Sequence, residues 1–297
     1  MDRDPQRLLV TSDLHFGLYP AGDNCTHQLA EYVCTSDADA FAIAGDVADV
    51  GRDNFAACLE LFADFPGTKL LVPGNHDLWV TGANSETKYR EVLPALAAER
   101  GFHMLDTGPV RMGGVGIIGS IGWYDYTFRS PDLSIPLEQY RRKRLPGVCT
   151  WNDGRFITWK LTDEEFTDQC VRSMDAAYRS VEPEVDTVLA VLHALPFRSL
   201  MHGPSSTAYE FCRAFLGSER LGELLKGFPK LRYVFCGHRH APEQVRVNGV
   251  RALVVGSEYL RKRLLSIDLT TGIHSTELFE PLTPARRKTD FLPGEDD

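Results

Sequence analysis

Three apolar runs near the start of this 297-residue chain break off in the same way. "RLLVTSD" (7–13), "ADAFAIAGD" (38–46) and "TKLLVPGNHD" (68–77) each pass from an apolar stretch into a polar loop. Amphipathic stretches lie between them: Gln28 to Cys34, then Asn54 to Phe65, where Phe55, Cys58, Leu59 and Phe62 recur at helical spacing. Strands that alternate with helices predict a parallel sheet with helices packed on it. Sites in such sheets form beyond the carboxyl ends of the strands. The strand ends are therefore where chemistry should be sought.

The rest of the chain extends this α/β pattern. "SETKYREVLPALAAERG" (85–101) reads as a helix with Ser85 as its cap and a break at Pro94. "VRMGGVGIIGSIGW" reads as a hairpin turning at Gly113-Gly114, and no helix pattern follows that would make its glycines a nucleotide loop. Residues 123–160 break the rhythm with aromatics, prolines and charges, and are expected to form a cap-like insertion over one face. A helix follows from Asp163 to Val181, then the strands "DTVLAVLHALP" and "LRYVFCGHRH". Four closely spaced short strands, "EQVRVNG", "VRALVVGS", "RLLSIDL" and "HSTELFE", predict a second, antiparallel sheet. The expected organisation is one domain over residues 1–283, interrupted by the insertion at about 123–160, with a mobile tail at 284–297.

Composition narrows the function. Apolar residues make up 43% of the chain and the formal charge is −9, which argues against a protein held mainly by the phosphates of a long nucleic-acid duplex. Seven scattered cysteines form no C-x-x-C pair and read as free thiols. The N-terminus lacks a signal-peptide pattern and no apolar run is long enough to span a bilayer, so a cytoplasmic protein with no membrane partner is expected.

Five strands end in polar clusters: Asp13-Leu14-His15, Gly45-Asp46-Val47-Ala48-Asp49, Gly74-Asn75-His76-Asp77, His193, and Gly237-His238-Arg239-His240. Five of the nine histidines stand there. Each cluster alone is commonplace, but five in order, each after a strand, are not. Aspartate oxygens with imidazoles suit Mn, Fe, Zn or Ni, and the absence of cysteine argues against a structural zinc site. Two ions about 4 Å apart need a bridging carboxylate, and Asp46, leaving a central strand, is the natural bridge.

This set resembles the calcineurin-like metallophosphoesterase superfamily, whose pattern is D-x-H, G-D-x-x-D, G-N-H-D/E, a strand-end His and G-H-x-H. All five blocks are present between Asp13 and His240. The resemblance implies a two-sheet sandwich flanked by helices (α-β-β-α) that holds two divalent metal ions. It places Asp13, His15, Asp46 and His240 on one ion, and Asp46, Asn75, His193 and His238 on the other. It makes His76 the group that protonates the leaving oxygen and Asp49 the residue that orients His76. The reaction implied is hydrolysis of a phosphate ester by a hydroxide held between the ions. The protein-phosphatase branch has an Arg directly after the second Asp; here Val50 follows and Arg52 comes later, so a phosphoprotein substrate is not implied.

Asn75, Arg52, Trp123 and Tyr124 are the candidate substrate contacts, the two aromatics because they closely follow a strand end and could stack on a ring. Most aromatics of the insertion are expected to pack. The runs Arg141-Arg142-Lys143-Arg144 and Arg261-Lys262-Arg263 could grip phosphate but read more simply as solvated faces; His202 reads as a loop residue. The expected substrate is a small phosphate ester or nucleotide, attacked by a phosphodiesterase or broad phosphomonoesterase. A nuclease or cyclic-nucleotide phosphodiesterase is the alternative. A non-catalytic scaffold on the same fold should have lost a ligand or the acid, and this sequence keeps them all. Substrate identity, metal identity and oligomeric state stay open.

Overall fold

β2 (Ala40–Ala44) shows how the local sequence builds the centre. Its five residues, AFAIA, are all buried, so both faces must be covered. It pairs in parallel with β1 (Arg7–Thr11) and β3 (Thr68–Val72), and β3 pairs in parallel with β4 (Phe102–Met104). The computed structural model describes residues 4–49, 52–203 and 206–281; the expected tail at 284–297 lies outside them.

The hairpin expected at Gly113-Gly114 is formed by β5 (Val110–Met112) and β6 (Val115–Ser120). Two-residue strands β7 (Arg144–Leu145) and β8 (Cys149–Thr150) make a small ribbon within the 123–160 segment. β9 (Thr187–Leu192) pairs in parallel with β6 and with β10 (Leu231–Cys236). The remaining strands are β11 (Glu243–Val247), β12 (Val250–Val254), β13 (Lys262–Asp268) and β14 (His274–Phe279). The two six-stranded sheets run β14-β13-β1-β2-β3-β4 and β11-β12-β10-β9-β6-β5.

One expectation is corrected here. The four late strands do not form an antiparallel sheet of their own. β12 lies parallel to β10, with β11 at its edge, whereas β13 crosses to the other sheet and pairs antiparallel to β1. Both sheets are mixed, because hairpins close the edges of parallel centres.

The sheets pack face to face through Val10, Ala42, Ala44 and Val72 on one side and Ile117, Val191 and Phe235 on the other. Helices cover the outer faces. α1 (Pro20–Cys34), α2 (Arg52–Glu60), α3 (Ser85–Thr87) and α4 (Leu93–Glu99) belong to the first sheet's side. Phe55, Cys58, Leu59 and Phe62 are buried there, as their spacing predicts. The helix expected over 85–101 differs in detail: Asn84 caps it through Glu86 N–H at 2.7 Å, and a π-helical turn over Lys88–Val92 precedes Pro94. The ring of Pro94 blocks a normal hydrogen bond, and the wider turn absorbs that loss.

Within 123–160 lie α5 (Leu137–Arg141) and α6 (Asp153–Phe156). α7 (Asp163–Val181) begins with a capping box between Thr162 and Glu165 and lays Met174, Tyr178 and Val181 on the second sheet. α8 (Thr207–Cys212) and α9 (Glu219–Lys226) follow β9. No helix among the described residues is long and apolar enough to cross a membrane.

Candidate metal centre

The parallel strands β1, β2, β3, β9 and β10 bring all five polar clusters to one edge. Turning side chains inward from these ends requires unusual backbone. Eight non-glycine residues among those described have positive φ, and five of them are Asp13 (54°), His15 (43°), Asp46 (50°), His238 (70°) and His240 (57°). Such conformations cost on the order of 1–3 kcal/mol each and persist where surrounding structure holds them. Here the loops are knitted to each other: Asp13 N–H bonds Gly45 O at 2.9 Å, His15 N–H bonds Asp46 O at 2.9 Å, and Gly237 N–H bonds His193 O at 3.2 Å.

The side chains converge on Asp46. Asp13, His15, Asp46 and His240 place ligand atoms within 4.8 Å of one another, and Asp46, His193 and His238 do the same. Asp46 Oδ2 lies 3.5 Å from His15 Nε2 and 3.4 Å from His193 Nε2. His240 Nε2 is 3.5 Å from Asp13 Oδ1 and 3.1 Å from His15 Nε2. Asn75 Oδ1 sits 3.1 Å from His193 Nε2.

Several of these rings are held from behind. His193 Nδ1 bonds Ala44 O at 3.0 Å, and His238 Nε2 bonds Phe215 O at 3.1 Å, leaving one nitrogen of each ring for the centre. Asp13 accepts from His238 N–H at 2.8 Å and from Ser12 Oγ at 2.5 Å. The donors are carboxylate and amide oxygens with imidazole nitrogens, a set that fits two divalent cations of the Mn, Fe or Zn type.

Electrostatics treat the donors unequally, and burial raises the Asp13 carboxyl to about 6. Burial would raise the Asp46 carboxyl, but His193, His76 and His15 around it hold it well below the usual carboxylate range. His15 and His240 are pushed down by burial, His240 to about 3, and His238 is pushed to about 4, so these imidazoles are neutral with lone pairs available. His193 is different: burial works against its charge, yet Asp46 beside it raises it to about 9.

His76 stands at the rim. Its ring stacks on Trp79 with centroids 3.7 Å apart and meets His15 edge-on at 4.6 Å. Its backbone N–H bonds Asp46 Oδ1 at 3.0 Å, and its Nδ1 lies 3.6 Å from Asp49 Oδ2, just beyond hydrogen-bond reach. Burial disfavours the imidazolium, but Asp46 and Asp49 outweigh it and raise the His76 pKa. The fourth residue of that cluster, Asp77, points the other way and accepts N–H bonds from Val47, Ala48 and Gly74 at 3.1, 3.0 and 2.8 Å. It staples the two loops together.

The candidate substrate contacts fare differently. Trp123 and Tyr124 are 2% and 1% exposed, so neither presents a ring face to a ligand. They stack on each other at 4.7 Å; the Trp123 indole donates to Asp163 at 2.9 Å and the Tyr124 hydroxyl to Asp153 at 2.8 Å. This corrects the expectation: both pack the 123–160 segment onto the core. Arg52 opens α2, and its side chain lies outside the described part. Arg141 pairs with Glu164, Arg142 with Glu138 and Lys143 with Asp163. His202 pairs with Glu243.

The sequence reading passed over Tyr259. It is 39% exposed, and its ring packs 4.9 Å from His15 and 4.7 Å from His240. It follows the Gly256-Ser257 strand end, just before the basic run Arg261-Lys262-Arg263. Lys262 from that run is fully buried, donates to the carbonyls of Asp13, Glu258 and Tyr259 at 3.0, 2.9 and 3.3 Å, and is lowered to about 8 by burial. Arg261 pairs with Glu280.

Residues 6–242 match the model of the calcineurin-like phosphoesterase family. No curated protein sequence matches. Among solved structures, a phosphopantetheinyl hydrolase from Mycobacterium tuberculosis is similar at 20% identity and TM-score 0.69, covering 88% of this chain and 92% of that one. A dimetal phosphatase from Danio rerio is similar at 12% identity and TM-score 0.55, covering 94% of this chain and all (100%) of that one. GAP50, the anchor in the inner membrane complex of Plasmodium, is similar at 10% identity and TM-score 0.51. At these identities the likeness is one of fold.

Proposed function

Because the chain belongs to the calcineurin-like phosphoesterase family, we propose that it hydrolyses small phosphate esters, diesters or monoesters, with two divalent metal ions. One observation carries this reading: the Asp46 carboxylate is shared by two donor clusters, one with Asp13, His15 and His240 and one with His193 and His238. Bound there, two cations would neutralise phosphoryl oxygens and make a water between them nucleophilic near neutral pH.

The chain's own residues do the rest. Asp46, Asp13, His15 and His240 would hold one ion; Asp46, Asn75, His193 and His238 would hold the other. His76 stands at the rim, where Asp46 and Asp49 raise its pKa against burial, and is placed to deliver a proton to a leaving oxygen. Asp49 faces its Nδ1 at 3.6 Å and would hold the ring once that gap closes to a hydrogen bond, and Trp79 backs it. The stack with Trp79 and the edge contact with His15 leave the ring little freedom, which suits a proton donor that must face one direction.

The substrate class is tested by screening metal-reconstituted protein against aryl and alkyl monoesters, diesters, cyclic nucleotides and a phosphopantetheine diester. The last is included because the mycobacterial hydrolase shares the fold over most of both chains. Full activity after verified metal removal would refute the proposal. The scaffold reading, which the anchor GAP50 brings to mind, is disfavoured by the retention of His76 and every metal-ligand candidate. The seven free thiols favour work in a reducing, cytoplasmic setting.

A further inference from the structure

The 123–160 segment reaches the centre through one carboxylate. Asp153, the first residue of α6, is 1% exposed. Four donors converge on it. Its Oδ1 accepts from Asn75 Nδ2 at 2.9 Å and from Trp79 Nε1 at 2.7 Å. Its Oδ2 accepts from the Tyr124 hydroxyl at 2.8 Å and from Trp151 Nε1 at 2.7 Å. The two indoles can only donate, so the acceptor between them has to stay an acceptor.

Two of these four partners lead directly to the centre. Asn75 has its other side-chain atom, Oδ1, 3.1 Å from His193 Nε2. Trp79 is the ring on which His76 stacks. An asparagine amide fits its site by shape in either of two orientations, and only one turns the oxygen lone pairs inward. A buried carboxylate behind the amide selects that orientation, because it repels the oxygen and binds the N–H.

We propose that Asp153 is a positioning residue of the metal centre: by holding the Asn75 amide N–H it aims the amide oxygen at the His193–His238 cluster, and through Trp79 it fixes the surface that supports His76. This rests on the two-ion reading above. The segment that interrupts the strand-helix rhythm thus completes the centre from outside the five strand ends.

The test compares three variants by titration of metal-free protein with Mn²⁺, counting sites and affinities. Asp153→Ala removes the acceptor behind Asn75. Tyr124→Phe and Trp151→Phe each remove a bond to the same carboxylate without touching Asn75. The expected result is a 10–100-fold weaker affinity for one of two ions in Asp153→Ala, the range for losing a residue that orients a ligand, with both ions bound as in wild type by the other two variants. Equal weakening in all three, in step with a lowered melting temperature of the metal-free protein, would make Asp153 a packing residue and overturn the proposal. So would unchanged binding of both ions by Asp153→Ala.

A second measurement needs no Asp153 variant. In the wild-type protein the Asn75 side-chain amide protons, assigned by their loss in Asn75→Ala, should exchange slowly with solvent both before and after metal is added. Exchange as fast as an exposed amide overturns the proposal. A wild-type protein that takes up fewer than two ions would instead refute the two-ion reading, and the inference would fall with it.

Discussion

Gly74→Ala puts the proposed bridging role of Asp46 under direct strain. A Cβ built at Gly74 would lie 2.0 Å from Asp46 Oδ1 and 2.3 Å from Asp46 N, against about 3.4 Å for ordinary contact. The shortfall of roughly 1.4 Å falls on the carboxylate that both donor clusters share, and Gly74 itself is pinned by its N–H bond to Asp77 at 2.8 Å. The backbone of Gly74 is not in the left-handed region, so alanine is not excluded by conformation. Overpacking costs about 1–3 kcal/mol of stability or more, the upper end being expected here because the Cβ also meets the backbone nitrogen of Asp46, so the rate is read only on variant protein that a melting curve shows to be folded. A misplacement near 1 Å at a reacting centre costs on the order of 100-fold in rate, so kcat should fall by about that factor or more while metal content drops. The assay is kcat on an aryl phosphate ester, with metal quantified on the same sample and a melting curve for each variant. Wild-type kcat with two ions still bound would show that the Asp46 carboxylate can sit elsewhere, and the bridging assignment would be wrong.

His76→Ala should keep its metals and lose little rate on an aryl ester, whose leaving group needs no proton, but about 10²- to 10⁴-fold on an alkyl or nucleoside ester; equal losses on both would assign His76 a charge-stabilising role instead. Asp49→Asn should show the same pattern more weakly, measured on the same pair of esters. Asp106, away from the centre, accepts from Ile121 N–H and the Tyr89 hydroxyl through Oδ1 at 2.7 and 2.8 Å, and its Oδ2 is buried without a partner. Burial raises its pKa from 3.8 to about 6, so the folded state holds this proton more tightly than the unfolded one and stability falls as pH rises between those values. Asp106→Asn should therefore stabilise the protein above pH 6, by up to about 2–3 kcal/mol, with the gain fading as pH falls toward 4; a gain independent of pH in denaturant titrations would contradict the burial argument.

The strand-end residues were legible because local rules place them. An apolar run followed by Gly-Asp or Gly-Asn-His fixes which residue leaves the strand first, and parallel order carries all the ends to one edge. What could not be read depended on partners distant in sequence. Trp123 and Tyr124 follow a strand end too, but their hydrogen-bond partners are Asp163 and Asp153, and nothing in the run around them announces that they turn into the core. Asp153 belongs to no strand and no motif; its importance exists only once residues 75, 79, 124 and 151 surround it. The late strands misled because their short spacing reads as one meander, whereas the choice of sheet was made by β1 and β10, each of which offered an unpaired edge to a different strand. Lys262 looked like a surface cation because three basic residues stood together; its neighbours' carbonyls, not its charge, decide its place.

The centre lies across a seam. Asp13, His15, Asp46 and Asn75 descend from strands of the first sheet, and His193, His238 and His240 from strands of the second. Both clusters that share Asp46 draw on both sheets, whereas a third, of His15, Asp49 and His76, draws on the first alone. The sheets act as two jaws, and the spacing of the jaws is set by the side chains between them, among them Ala42, Ala44 and Val72 facing Val191 and Phe235. Enlarging Ala42 would widen the gap without touching any proposed ligand, and the proposed centre would register it as a change in which metal radius it holds best.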